Sequence, residues 1–178
     1  MKEEVITLGG GCFWCIEAIL SDLKGVEKVV SGYAGGSLVN PTYEQVVRGN
    51  TGHAEVVQVY YNTSTITTKD LLRVFFTLHN PTTKDRQGAD IGSQYRSIVL
   101  TSSDAQERDV REVMAEIEAE KIWSAPLVTE VKPLEAFYPA ENYHQRFYEE
   151  NALHPYCQVV IEPKIAKLRK LYREKQKK

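Results

Sequence analysis

Gly9-Gly10-Gly11-Cys12-Phe13-Trp14-Cys15 is the stretch on which the reading of the fold turns. Residues 5–8 before it are short and apolar, and the three glycines break that run. After them Ile16, Ile19, Leu20 and Leu23 recur at helical spacing until Gly25 ends the pattern. A strand, a tight turn and a helix are therefore expected in that order. Cys12 falls in the first helical turn of this reading, where unpaired backbone N–H groups and the positive end of the helix dipole favour an anion. Thiolates so placed have pKa values lowered from about 8.5 toward 7 or below, which makes Cys12 a candidate nucleophile. The glycines, lacking side chains, allow backbone to close around a substrate oxygen. Phe13 and Trp14 are candidates for the walls of a shallow apolar pocket suited to a methyl or thioether group. A small buried cysteine and ordinary aromatic core packing are the competing accounts of the same residues.

Outward from that turn, residues 26–33 alternate like a strand, and residues 34–53 form a loop rich in Gly, Asn and Pro. Residues 54–61 alternate again. Thr67-x-x-Asp70 opens a helix with Leu71, Leu72, Phe75 and Leu78 on its buried side, Asn80-Pro81 stops it, and residues 96–101 give the next strand. The order βαββαβ is that of a ferredoxin-like plait, an α+β two-layer sandwich with helices on one face of a sheet. Further on, Ser103-x-x-Gln106 predicts a capped helix with Val110, Val113, Met114 and Ile117 inward. A strand at 127–131, a helix from Pro139 to about Glu150 and a short strand at 158–161 are expected next. From Pro163 the tail carries eight of the 22 basic residues, with Ile165, Leu168 and Leu171 at i, i+3, i+6. It reads as an amphipathic helical extension whose basic side is solvated.

At 178 residues the chain fits one catalytic domain of 1–178, with residues 151–178 as its C-terminal segment. Lys plus Arg total 22 against 24 for Asp plus Glu, a net charge of −2, so no overall positive field exists to attract nucleic acid or an anionic membrane. The apolar runs fall far short of the roughly 20 residues of a membrane helix, and a cytoplasmic location is expected. Three cysteines are too few, and odd in number, for a secreted disulfide framework, so chemistry is the better use for them. Cys15 lies three residues after Cys12, on the same helical face, close enough for a disulfide or a shared metal. A structural zinc needs four ligands, and of His53, His79, His144, His154 and Cys157 only His154 and Cys157 stand close in sequence, a single mixed pair; no metal is expected.

Five motifs then stand in order: Gly10-Gly11-Cys12-Phe13-Trp14, Gly32-Tyr33-Ala34-Gly35-Gly36, Pro41-Thr42-Tyr43-Glu44, Thr51-Gly52-His53-Ala54-Glu55 and Gly92-Ser93-Gln94-Tyr95-Arg96-Ser97. Together they closely resemble the A-type peptide methionine sulfoxide reductases, over about residues 5 to 161. The resemblance implies a compact α/β domain that reduces the S epimer of methionine sulfoxide, free or in oxidised proteins, as protein repair under oxidative stress. It implies thioredoxin as reductant and no cofactor. It also makes Cys12 the nucleophile, Glu55 the acid, and Tyr43, Asp90 and Tyr95 the polar groups that hold the sulfoxide oxygen and order water. The chemistry suits these types, because a sulfoxide sulfur accepts a thiol only if its oxygen takes up a proton. Attack would leave Cys12 as a sulfenic acid, which a second thiol condenses to a disulfide. The family habit of a resolving cysteine near the C-terminus points to Cys157, while proximity keeps Cys15 open. The rival reading is a redox-sensing or metal-holding module built on Cys12 and Cys15, which would show no turnover.

Overall fold

The computed structural model describes residues 2–177. The first half contains β1 (Glu3–Gly9), α1 (Phe13–Leu20), β2 (Val26–Ala34), α2 (Tyr43–Val47), β3 (Ala54–Asn62) and α3 (Thr68–Leu78). A small hairpin of β4 (Arg86–Gln87) and β5 (Asp90–Ile91) follows, then β6 (Ile98–Thr101), α4 (Asp104–Ala119), β7 (Glu130–Pro133), β8 (Phe137–Pro139), α5 (Phe147–Glu150) and α6 (Glu162–Tyr172).

Alternation in the strands decides which layer each side chain joins. In β3, Val57, Val59 and Tyr61 face the helices with Ile6 and Leu8 of β1, while Ala54 and Val56 face the other way with Ala34, Ile98 and Leu100. Ile16, Ile19 and Leu20 of α1, Leu71, Leu72 and Phe75 of α3, and Val110, Val113 and Ile117 of α4 complete the larger cluster. Leu134 and Phe137 cover the smaller one. The sheet runs β7-β6-β1-β3-β2-β8, antiparallel throughout except where β7 lies parallel to β6. This is a mixed α+β fold with a mostly antiparallel sheet. Among the described residues no helix is long and apolar enough to cross a membrane.

The helix starts follow their caps. Thr67 Oγ1 accepts from the Asp70 N–H at 3.0 Å, and Ser103 Oγ from the Gln106 N–H at 3.2 Å. The Gln106 side chain does not close a capping box; it accepts from Ser102 N–H and donates to the Val5 carbonyl, tying α4 to β1. Within the expected loop 34–53, Thr42 and Gln45 form a reciprocal box that nucleates the short α2.

Three expectations in the second half are corrected. No helix runs from Pro139 to Glu150: Pro139 ends β8 opposite Gly32, residues 142–144 make one 3₁₀ turn, and only Phe147–Glu150 are α-helical. Polar side chains capture the backbone there, since Gln145 bonds both the N–H and the carbonyl of Ser31, and Arg146 adopts a left-handed φ of 51°. The strand expected at 158–161 is a π-helical turn, Cys157–Ile161, which continues into α6. Burial there recurs at Cys157, Ile161, Ile165 and Leu168, a helical period that a run of β-branched residues concealed. The strand expected at 127–131 starts later, at Glu130. The amphipathic tail forms as expected on Ile165 and Leu168, but Leu171 is exposed. Its end is strapped to the α1–β2 connection: Lys24 N–H donates to the Lys175 carbonyl at 2.7 Å and Lys177 N–H to the Asp22 carbonyl at 2.8 Å. Lys178 lies outside the described residues.

The glycine turn serves packing as well as substrate access. Gly11 has φ +98°, and a Cβ there would sit 2.7 Å from Gln87 Cγ. Gly49, with φ +82°, has open space around it. Gly11→Ala is therefore expected to destabilise by roughly 1–3 kcal/mol more than Gly49→Ala, which isolates the cost of the left-handed backbone alone. Urea unfolding of the two variants checks the difference; equal losses would remove the Gln87 contact from the account.

Candidate active site

The first turn of α1 begins one residue later than expected. Cys12 is the N-cap, with extended backbone (φ −61°, ψ 130°), and Phe13 is the first helical residue. The expected lowering of the Cys12 pKa is also corrected. Burial pushes the thiol well above its ordinary value, and Glu55, Cys15 and Asp90 push in the same direction, against the Trp14 N–H, which favours the thiolate. A helix terminus helps an anion only where solvent or a cation shares the load, and desolvation beside two carboxyl groups outweighs it here.

Glu55 comes from the second residue of β3 and is buried, 1% exposed. Its Oε1 accepts from the Phe13 N–H at 3.1 Å, one of the helix-start donors that would otherwise lack a partner. Among the described residues Oε2 is buried with no hydrogen-bond partner. Burial pushes this carboxyl up to about 8; the Phe13 N–H and the Cys12 thiol oppose the shift and the charge of Asp90 adds to it. At neutral pH the site thus holds a neutral thiol beside a protonated acid.

The other sequence candidates converge on the same pair. Tyr43 opens α2, and burial, Glu55 and Cys12 push its phenol up to about 12. Tyr95 ends the 3₁₀ turn before β6, and burial with Glu55, Tyr43 and Cys12 raises it further. Both phenols therefore stay protonated and can donate. Asp90 opens β5, whose hairpin with β4 lies against Gly11 through Gln87. Phe13 is buried with its ring 5.7 Å from Tyr33 and 5.1 Å from His144. Trp14 is half-buried and stacks on Phe147, ring centroids 3.6 Å apart, within 5° of parallel.

Several residues at the site were not singled out by the sequence for these roles. Tyr156 donates to Asp90 Oδ2 at 2.6 Å, and its hydroxyl lies 3.7 Å from Cys15 Sγ, bridging the hairpin to α1. Its place beside Cys157 was the available signal. Glu141 accepts from Tyr33 Oη at 2.8 Å and from the Tyr43 N–H at 3.0 Å, so it fixes where Tyr43 stands. His144 Nδ1 accepts from Trp14 Nε1–H at 3.0 Å. An indole nitrogen only donates, so the imidazole proton sits on Nε2, which is buried and has no partner among the described residues. Burial lowers the His144 pKa and keeps the ring neutral. The reading of residues 139–150 as one helix hid both Glu141 and His144.

The three thiols are free. Cys15 and Cys157 are buried in one cluster, away from solvent, and burial raises both. Among the described residues no group of three or more His, Cys, Asp or Glu could hold a metal ion.

A family profile described as peptide methionine sulfoxide reductase matches residues 4–177. The chain belongs to that family. A peptide methionine sulfoxide reductase MsrA of Granulibacter bethesdensis is 50% identical over 170 residues, 96% of this chain and 92% of the relative. Mxr1 from Saccharomyces cerevisiae in its reduced form superposes with a TM-score of 0.82 at 35% identity, covering 88% of this chain and 90% of that one. Mxr1 in complex with Trx2 gives 0.58 at 27% identity, covering 82% and 85%. Members of the peptide methionine sulfoxide reductase family are oxidoreductases, and the protein is an enzyme of this A type.

The raised Glu55 pKa fixes a pH signature. Its folded value of about 8 lies above the ordinary 4.5, so between those limits the folded state holds the proton that the unfolded chain gives up. The stability linked to this group is full below about 4.5 and is lost as pH rises through about 8. Burial also raises Glu17, to about 7, so the wild-type curve alone mixes two groups. Glu55→Gln should gain stability relative to wild type steadily from pH 5 to pH 8, as followed by urea unfolding at several pH values. A difference that does not change with pH would mean that Glu55 ionises normally.

Proposed function

We propose that the protein reduces the S epimer of methionine sulfoxide, free or in oxidised proteins, through a Cys12 sulfenic acid, and that thioredoxin regenerates it. One observation carries this reading: a buried carboxyl with a pKa of about 8 and an unpartnered oxygen, held beside a cysteine at a helix N-cap. Glu55 gives its proton to the sulfoxide oxygen as the S–O bond breaks, the oxygen passes to the Cys12 sulfur, and the thiol proton returns to the carboxylate. Cys12–SH and the sulfoxide thereby become Cys12–SOH and methionine, two electrons moving from the enzyme sulfur to the substrate sulfur.

Tyr43 and Tyr95 donate to the polarised oxygen, their raised pKa values keeping them protonated, and Asp90 orders water through its place beside Tyr156. Phe13 and Trp14 receive the S-methyl group; the stack on Phe147 and the bond to His144 support a fixed orientation for the Trp14 ring. A second cysteine, Cys157 or Cys15, condenses with the sulfenic acid and releases water. The complex of Mxr1 with Trx2 supports thioredoxin as the reductant. Residues 1–178 act as one catalytic domain in the cytoplasm, with no cofactor required by any step. The sheet order β6-β1-β3-β2, with α1 and α3 on one face, supports a ferredoxin-like plait as its core.

Incubation with dithiothreitol and the S epimer of N-acetylmethionine sulfoxide, with methionine derivative as the readout, tests the activity; the R epimer serves as the control. Cys12→Ser is expected to abolish product in a folded protein, because a serine oxygen attacks sulfur poorly and cannot be oxidised to a sulfenic acid. Glu55→Gln should slow single-turnover release by roughly 10²–10⁴, what a positioned acid supplies. Turnover by Cys12→Ser would overturn the nucleophile, and an unaltered rate in Glu55→Gln would return that residue to a structural role.

A further inference from the structure

Glu17 is a buried carboxyl group that the proposed chemistry does not use. It stands three residues after Trp14 on α1, so the two share one face of the helix. The Trp14 indole stacks on Phe147 and donates to His144, and both of those partners belong to the stretch after β8. Glu17 grips the same stretch by its backbone: its Oε2 accepts from the Arg146 N–H at 2.9 Å, and the Phe147 N–H also favours its carboxylate. The backbone there needs a holder. Arg146 adopts a left-handed φ of 51°, which strains a residue with a long side chain. That side chain does not cap α5 and pairs instead with Glu150 at 3.3 Å. With only Phe147–Glu150 in it, α5 is too short to fix its start by its own ladder. Glu17, 4% exposed, supplies the missing acceptor from α1.

Glu17 also lines a cleft between α1, β2 and α6. Facing it are Glu27 and Lys28 of β2, and Arg146 and Glu149 at the α5 turn. Arg169 of α6 joins them, with Asp22 and Lys177 where the chain end is strapped. Four cations there meet three carboxyl groups besides Glu17, so an ionised Glu17 evens the balance. Burial pushes its pKa up to about 7; the Arg146 and Phe147 N–H groups and the Arg146 charge oppose the rise, and Glu149 adds to it. Above that pH both oxygens accept fully. Below it one oxygen carries the proton and accepts poorly.

We propose that Glu17 is a positioning residue: its carboxylate, by holding the backbone of Arg146 and Phe147, sets the Phe147 ring and through it the Trp14 wall that receives the substrate. This rests on the reading of the protein as a sulfoxide reductase with Phe13 and Trp14 around the S-methyl group. Glu17 touches neither substrate nor Cys12, and no proton or electron passes through it to the reacting atoms. It acts by keeping the wall in place before substrate arrives, so it changes binding and leaves the Cys12–Glu55 step alone. The half-saturating substrate concentration therefore moves while the limiting rate stays. Loss of the Glu55 proton as pH rises through about 8 acts on the limiting rate, a separate parameter.

The full chain and its Glu17→Gln, Phe147→Leu and doubly substituted variants are mixed with excess S epimer of N-acetylmethionine sulfoxide without reductant. The rate of the single turnover is then measured against substrate concentration at several pH values between the titrations of Glu17 and Glu55 and below them. Glutamine keeps one accepting oxygen, but its amide nitrogen only donates. At the upper end of that range Glu17→Gln should raise the half-saturating concentration by roughly tenfold, the worth of one hydrogen bond to a charged group, with the limiting rate within about twofold of wild type. The wild-type half-saturating concentration should fall as pH rises through about 7, and that of Glu17→Gln should not change with pH. The double variant should go no further than the larger single change, because both substitutions break one chain of contacts. One equivalent of product shows that a variant is folded. Effects that multiply in full, or a limiting rate that falls while half-saturation stays, overturn the positioning role and leave the sulfoxide chemistry standing. A wild-type half-saturating concentration that does not change through about pH 7 overturns it without any variant. Absence of product even in wild type overturns the sulfoxide chemistry and the positioning role together.

Discussion

The bond from the Phe13 N–H to Glu55 Oε1 joins the start of α1 to the start of β3, and the site is organised around it. A helix start has N–H groups to spare, and a carboxyl group taken out of water needs partners. Glu55 receives one such partner for one oxygen and none for the other, so the fold tolerates the carboxyl by keeping it protonated. A proton is therefore stored beside Cys12 at neutral pH, where an ordinary glutamate would have lost it. The same burial disfavours ionisation of Cys12, so both members of the pair rest uncharged.

Such a pair needs a stiff surrounding, and the stiffness comes from stretches far apart in the chain. Gly11 is held against Gln87, whose amide accepts from the Asn80 N–H at 2.9 Å and donates to the Asn80 carbonyl at 3.0 Å, so the glycine turn and the β4–β5 hairpin share one anchor. Glu141 ties Tyr43 to Tyr33 on β2, and Arg96 reaches the Gly52 carbonyl at 2.9 Å just before Glu55. His79, with burial lowering its pKa to about 3, spans the Phe75 carbonyl and Ser97 Oγ behind Gly10. A neutral imidazole serves there because it both donates and accepts, and neither of its neighbours could compensate a charge.

Much of the first half could be read from its pattern because strands and helices there bury alternate or helical faces of one core, as Val57, Val59 and Tyr61 do against Ile16 and Ile19. The second half follows other rules. Around Gln145 the polar side chains compete with the backbone for hydrogen bonds, and no hydrophobic period records that competition. At Cys157 a β-branched run sits in a helix because Ile161 and Leu168 reach the core there, a tertiary preference that outweighs local propensity. The sign of the Cys12 shift was hidden for a related reason. A helix terminus is visible in sequence, but the carboxyl groups of Glu55 and Asp90 and the depth of burial are properties of the folded arrangement. Tyr156 stands 66 residues from Asp90, and nothing in its local pattern marks it as that residue's partner.

A neutral resting thiol has a consequence for selectivity. The thiolate is the form that oxidants attack, and susceptibility follows thiolate character and exposure. With burial holding Cys12 as a thiol, an oxidant that neither needs nor takes a proton meets a poor nucleophile. Under the proposed function a sulfoxide differs, because its oxygen accepts the proton on Glu55 while its sulfur accepts the thiol. In the proposed function the Glu55 carboxylate, once it has given up that proton, is the base that takes the proton from Cys12. Nucleophile and acid are then activated by the same event, arrival of a substrate with an oxygen basic enough to remove the stored proton. Under that proposal the raised thiol pKa, unfavourable for an isolated nucleophile, works as discrimination in a pair whose second member sits in hydrogen-bonded register with the first helical residue after it.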